Sequence, residues 1–237
     1  MRLSHASGVL LASVLLLPAS SRAQEGPLSL DELSRIFASG GDVAGWDEYQ
    51  VPQFVAEYYG SRATPAILQL LELPTTRARF YLQLEALTAA GYAKLRVPVS
   101  VLVPYARGDR GRDLLPIQAE ILQHRATLAL TGHPEPALVS FWEEVARDSA
   151  PLMRQHAAPG FACALGSAAA IHIDRAAMDS DRVVRAVAQR VRTRFQEEGA
   201  RARVCYGFER DSARVHPNRV TPPLLAAARR RLGEIPR

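Results

Sequence analysis

Residues 59–91 read YGSRATPAILQLLELPTTRARFYLQLEALTAAG, and they decide the fold. Thr64 stands where an N-cap belongs, and Pro65 occupies the first helical position, where its missing N–H costs nothing. Ile67, Leu68, Leu70, Leu71 and Leu73 then form a broad apolar face. Leu73-Pro74 ends the helix, because the residue before a proline is driven out of the helical region. Thr75 or Thr76 caps a second helix, in which Phe80, Leu84 and Leu87 fall at helical spacing. Gly91 fits the left-handed position that follows a helix end. Two such helices cannot bury their apolar faces alone, so the stretch predicts further pairs stacked against it.

The rest of the chain carries the same pattern. Ser29 and Glu32 form a capping box ahead of a short helix stopped by Gly40-Gly41, a loop with Trp46 follows, and residues 51–59 resume as helix. Residues 97–105 are apolar and broken by Pro98 and Pro104; they are read as a distorted helix, with a strand as the alternative. Helices are predicted over 114–131 and 134–148, and residues 153–173 are read as two pieces broken at Pro159-Gly160. Residues 179–199 form the longest helix, with Val183, Val187, Val191 and Phe195 every fourth residue. Residues 200–220 read as irregular, and a terminal helix is expected over 221–235. Helix starts near Ser29, Thr64, Pro98, Pro134 and Asp179 are separated by 35, 34, 36 and 45 residues, in the range of helix-pair repeats.

The run from Gly60 to Pro65, with Ile67, Leu70, Leu71, Arg79, Ala86, Leu87 and Gly91, resembles one unit of the HEAT-like helical repeats. A second passage, from Ile121 through Gly132 and Ala137 to Phe141, is similar to a tetratricopeptide unit, although Glu144 replaces its expected small residue. The resemblance implies an all-α fold of antiparallel pairs stacked as a short right-handed superhelix, and a protein-binding role. A globular helical bundle accounts for the same periodicity.

Residues 1–23 have the form of a signal peptide, with Arg2, a short apolar core and small residues before Ala23. The core is too short to span a bilayer, which needs about 20 apolar residues. Cleavage near Ala23 would send residues 24–237, a single domain, to the periplasm or outside the cell. Arg2 and Arg22 leave with the peptide, so the formal net charge falls from +5 to +3. Lys94 is the sole lysine. A modest arginine excess on an exported chain does not argue for nucleic acid, and an integral membrane protein is not expected. In an oxidising compartment an isolated pair of cysteines reads as a disulfide, here Cys163 with Cys205.

Chemistry is harder to find. His172, Ile173 and Asp174 make the most metal-like trio, but the two-ligand helical spacing of metal sites is missing, so no metal or cofactor is assigned. Cys163 with His156 or His172 could serve as a nucleophile and its base, in competition with the disulfide. Glu143 and Glu144 are adjacent, so on a helix they point about 100° apart and cannot flank one bond. Arg182, Arg185 and Arg192 on the long helix are the candidate binding residues for an acidic partner or a peripheral envelope contact. The expectation is an exported, non-catalytic helical-repeat protein that binds a protein partner in the envelope. The alternatives are an exported enzyme with its site near residues 156–174 and a small bundle holding an apolar ligand.

Overall fold

In the computed structural model, residues 26–39, 50–92, 95–198 and Cys205 are described. Among them every regular element is helical, and the fold is all-α. No described helix is long and apolar enough to cross a membrane. The expected signal peptide, the Trp46 loop, the Gly40-Gly41 and Gly199 stops, the irregular 200–220 stretch and the terminal helix lie outside the described residues.

Helix α1 (Leu30–Ser39) opens with the expected capping box: the Glu32 N–H donates to Ser29 Oγ at 3.2 Å, and the Ser29 N–H donates to Glu32 Oε2 at 3.2 Å. Helix α2 (Gln50–Phe54) runs into a π turn (Val55–Tyr59) and a 3₁₀ turn (Gly60–Arg62). The chain reverses at Gly60, whose φ of 54° and ψ of −135° suit only glycine. Helices α3 (Thr64–Glu72) and α4 (Phe80–Ala90) are the pair read from residues 59–91. Leu73 is extended, with ψ of 151°, as its place before Pro74 requires.

Three details of that pair differ from the sequence reading. Neither Thr75 nor Thr76 caps α4: Arg79 precedes it, after a 3₁₀ turn (Arg77–Arg79) at whose start Thr76 makes no side-chain cap. Thr64 is the first helical residue, not the cap; Ala63 holds the cap position with right-handed helical angles. The 3₁₀ turn feeds the helix directly, because the Ala63 N–H already bonds to the Gly60 carbonyl at 3.0 Å. Nor is Gly91 left-handed: its φ is −75°, and the α4 end tightens into 3₁₀ bonds from Gly91 to Thr88 and from Tyr92 to Ala89.

Residues 97–105 resolve as helix α5 (Val99–Ala106), with Leu102, Tyr105 and Ala106 buried at helical spacing, and the strand alternative drops out. Helix α6 (Pro116–Leu130) begins at its proline rather than at Leu114, with the Leu115 N–H held by Gln118 Oε1 at 3.2 Å. These six helices pack in two rows. Helices α1, α3 and α5 touch in succession, as do α2, α4 and α6, while α3 meets α4 and α5 meets α6 across the rows.

Buried polar groups fasten the rows. The Gln83 side chain is wholly buried, and its amide donates to the Leu70 and Leu73 carbonyls at 3.2 and 3.1 Å. Those are C-terminal carbonyls of α3 that have no partner inside their own helix. The Tyr105 hydroxyl donates to the Leu71 carbonyl at 2.8 Å and accepts from Thr75 Oγ1 at 3.4 Å, joining α5 to α3.

The C-terminal part is a cluster of shorter helices: α7 (Val139–Ala146), α8 (Pro151–Arg154), α9 (Ala157–Leu165), α10 (Ala170–Ala176) and α11 (Arg182–Glu198). Helix α9 is its axis. Residues 157–164 are all buried, and α7, α10 and α11 pack against them.

The break expected at Pro159-Gly160 is not there. Pro159 lies in the first turn of α9, where its missing N–H has no intrahelical acceptor to lose. The chain breaks instead at Gly166, with φ of 58°. Gly160 is explained by packing, since a Cβ there would stand 2.2 Å from Cδ2 and Cε2 of Trp142, whose side chain is fully buried. Gly160→Ala is therefore expected to destabilise the protein by about 2–3 kcal/mol, although alanine gains up to about 1 kcal/mol in helix propensity. Urea unfolding measures this, and pairing the change with Trp142→Phe should recover part of the loss through a non-additive cycle. A neutral or stabilising Gly160→Ala would contradict this packing.

The expected apolar face of α11 packs inward, with Val187 and Phe195 partly buried against the core. Val184, Ala188 and Val191 are buried while Val183 is exposed. Asp181 caps the helix, its Oδ1 accepting the N–H groups of Val183 and Val184 at 2.8 and 3.2 Å.

Candidate binding cleft

Five helices and the turn before α11 converge on a small open cleft. Helix α7 supplies Glu143, Ala146 and Arg147, and α10 supplies His172, Arg175 and Ala176. Each set has spacing i, i+3, i+4, which places it on one helical face. Helix α9 adds Ala157 and Phe161, also one turn apart, and Arg154, Asp179 and Val184 complete the lining.

The floor is fixed. Arg154 Nε and Nη2 donate to the two carboxylate oxygens of Asp179 at 2.9 Å each, and Arg154 Nη1 donates to the carbonyls of Asp148 and Ser149 at 3.0 and 2.9 Å. Bidentate arginine–carboxylate pairs combine strength with fixed geometry. The guanidinium holds the Asp179 carboxyl below the usual carboxylate range, and the carboxylate raises the arginine in return. Above the floor the His172 ring lies flat on Phe161, with centroids 4.0 Å apart and planes 17° apart. Burial holds the imidazole below its ordinary pKa, and Arg175 adds to this against an opposing pull from Glu143.

The rim is less constrained. Arg147 reaches Glu143 only at 3.7 Å, and its side chain is 73% exposed. Arg175 is exposed and makes no ion pair among the described residues. With Arg154 and Asp179 neutralising each other, Arg147 and Arg175 against Glu143 leave one net positive charge beside the apolar surface of Ala146, Ala176 and the His172 ring. The space amounts to about 90 Å³. Cofactor and drug-sized sites run to roughly 300–1,000 Å³, so this cleft suits a side-chain-sized group.

Arg182, Arg185 and Arg192 all lie on α11, and two of them have partners within the protein. Arg182 is exposed at the start of α11. Arg185 Nη1 turns back to the carbonyls of Asp179 and Ser180, both at 2.7 Å, and Arg192 pairs with Asp174. That pairing takes Asp174 away from His172, and among the described residues no three metal-ligating side chains come together. Cys163 is buried and bonded to Cys205 in a disulfide, so its sulfur is not a thiolate nucleophile. Glu144 pairs with Arg107 across the surface, at 2.8 and 3.1 Å, rather than joining Glu143.

His156 meets another histidine. Its ring centroid lies 4.8 Å from that of His124 on α6. His156 is buried, its Nε2 has no hydrogen-bond partner among the described residues, and burial, helped by His124, pushes its pKa down to about 3. Arg147, Arg175 and Glu143 were not among the residues singled out for binding in the sequence. Their i, i+3, i+4 spacing within residues 143–147 and 172–176 was the available signal.

Comparison with protein-family models, with curated proteins and with solved structures returns no match to this chain.

Proposed function

We propose that the chain is an exported, non-catalytic helical-repeat protein of the HEAT-like or tetratricopeptide-like kind, acting as a protein-binding module in the cell envelope. The observation that carries this reading is the two-row packing of α1 to α6, in which alternate helices succeed one another. Stacked helix pairs of this kind make extended surfaces that suit proteins better than small substrates. The signal-peptide form of residues 1–23 and the Cys163–Cys205 disulfide both suit an oxidising compartment outside the cytoplasm. A thiol-based enzyme at residues 156–174 is disfavoured by the bonded Cys163. Affinity capture with the oxidised protein from an envelope extract tests the proposal. One discrete partner recovered in stoichiometric yield is expected; recovery of none, together with turnover in a substrate screen, would overturn it.

A further inference from the structure

The cleft between α7, α9 and α10 has the chemistry of a receptor for a carboxylate. We propose that it binds an acidic side chain, Asp or Glu, of the protein partner, with Arg175 and Arg147 taking the carboxylate and the accessible Ala146, Ala176 and His172 ring taking its methylene stem. This rests on the protein-binding reading above and names the partner's chemistry at one site.

The alternatives are weaker on the same observations. A cation is opposed by the net positive rim, which leaves Glu143 as the sole carboxylate not already taken by a bidentate arginine. A cofactor is opposed by the volume of about 90 Å³. Phosphate would draw on a dense cluster of donors, whereas here two exposed arginines share the rim with a glutamate and much of the lining is apolar. A carboxylate on a short hydrocarbon stem matches both halves of the cleft. Arg175 carries the larger share because it has no competing ion pair among the described residues, while Arg147 must loosen its 3.7 Å contact with Glu143. The Arg154–Asp179 pair keeps the floor in place as the guest enters and itself makes no exchange.

The test uses isotopically labelled, oxidised protein titrated with propionate, the bare side-chain acid. Amide resonances of Arg147, Arg175 and Ala176 are expected to shift saturably, with Kd on the order of 1–10 mM for so small a probe. Propionamide, which has the same shape without the charge, should leave them in place. Arg175→Gln is expected to weaken propionate about fivefold, the scale of one exposed charge contact, and Arg190→Gln on the exposed side of α11 should not. Equal shifts with propionamide, an unchanged Kd in Arg175→Gln, or phosphate binding tenfold more tightly would each overturn the carboxylate site. A second arm compares partner capture by the wild type and by Arg175→Glu, with folding checked by circular dichroism. Loss of capture by the variant supports the proposal. Equal capture places the docking surface elsewhere and overturns the proposal while the protein-binding reading stands. No capture by either, with propionate bound, overturns the protein-binding reading instead.

Discussion

Acidification is expected to weaken the fold well before its carboxylates titrate. His156 has an ordinary pKa of 6.5 in the unfolded chain and about 3 in the folded one, because the buried imidazole cannot take up a charge. The unfolded chain therefore binds a proton that the native protein refuses. Stability is fully present above about pH 6.5 and falls as the pH drops toward about 3, the folded value. The loss is on the order of 2–3 kcal/mol by about pH 4.5 and keeps growing toward about pH 3.

The surroundings offer no relief to a proton on His156. The half-buried His124 ring lies 4.8 Å away at a tilt of 58°, and Arg125 follows it in the chain; burial and then Arg125 hold the His124 pKa low as well. Below about pH 4 Asp179 adds a loss of the same sign, since its folded pKa is depressed by Arg154. Urea midpoints between about pH 7 and 4.5 isolate the histidines from such carboxylates. Trp142, buried within one helical turn of the His156 position through Gly160, supplies a fluorescence signal, best read in a Trp46→Phe background. His156→Leu removes a polar group without a partner among the described residues and should flatten much of the pH dependence without a large cost at neutral pH. A wild-type midpoint independent of pH across that window would contradict the dry, unpaired environment assigned to His156.

Loss of the Cys163–Cys205 disulfide is the other large expected effect. It joins residues 42 apart in sequence and closes a loop that contains α10 and α11. In the chain-entropy account a loop of that length stabilises the native state by about 4 kcal/mol. Cys163→Ala with Cys205→Ala is expected to lower the urea midpoint by about 2 M for a slope of about 2 kcal/mol per molar. Reductant should reproduce the shift in the wild type and do nothing to the double variant. Alanine is preferred to serine at Cys163, because its sulfur is buried among the alanines of α9 and a hydroxyl there would go unpaired. A wild-type midpoint insensitive to reductant, or two free thiols titrated in the denatured, unreduced protein, would contradict the bond.

Helix existence was legible wherever apolar spacing and proline agreed. The α3–α4 pair, the Ser29–Glu32 box and the stop at Leu73-Pro74 all follow from local chemistry, and the structure has them. The glycines were harder, because glycine serves two unrelated purposes. At Gly166 the backbone needs the angle, and at Gly160 a tryptophan needs the space. Sequence alone cannot distinguish these, since Trp142 lies 18 residues away from Gly160. Gln83 and Tyr105 likewise looked like ordinary helical residues, and only the crossing of helices turns them into caps for the α3 carbonyls. The cleft was hidden for the same reason. Its triads sit on separate short helices, and the row of arginines on α11 that did stand out in the sequence is partly spent on that helix's own turn and on Asp174.

The central proposal, a binding protein whose partner meets the cleft, is tested most directly by photo-crosslinking in intact cells. A photoreactive residue is placed at Ala176, in the cleft lining, and separately at Tyr81, which is exposed on α4. The Ala176 position is expected to yield one discrete adduct, which Arg175→Glu abolishes and which the Tyr81 position does not share. No adduct from Ala176, or one indifferent to Arg175→Glu, would contradict the account.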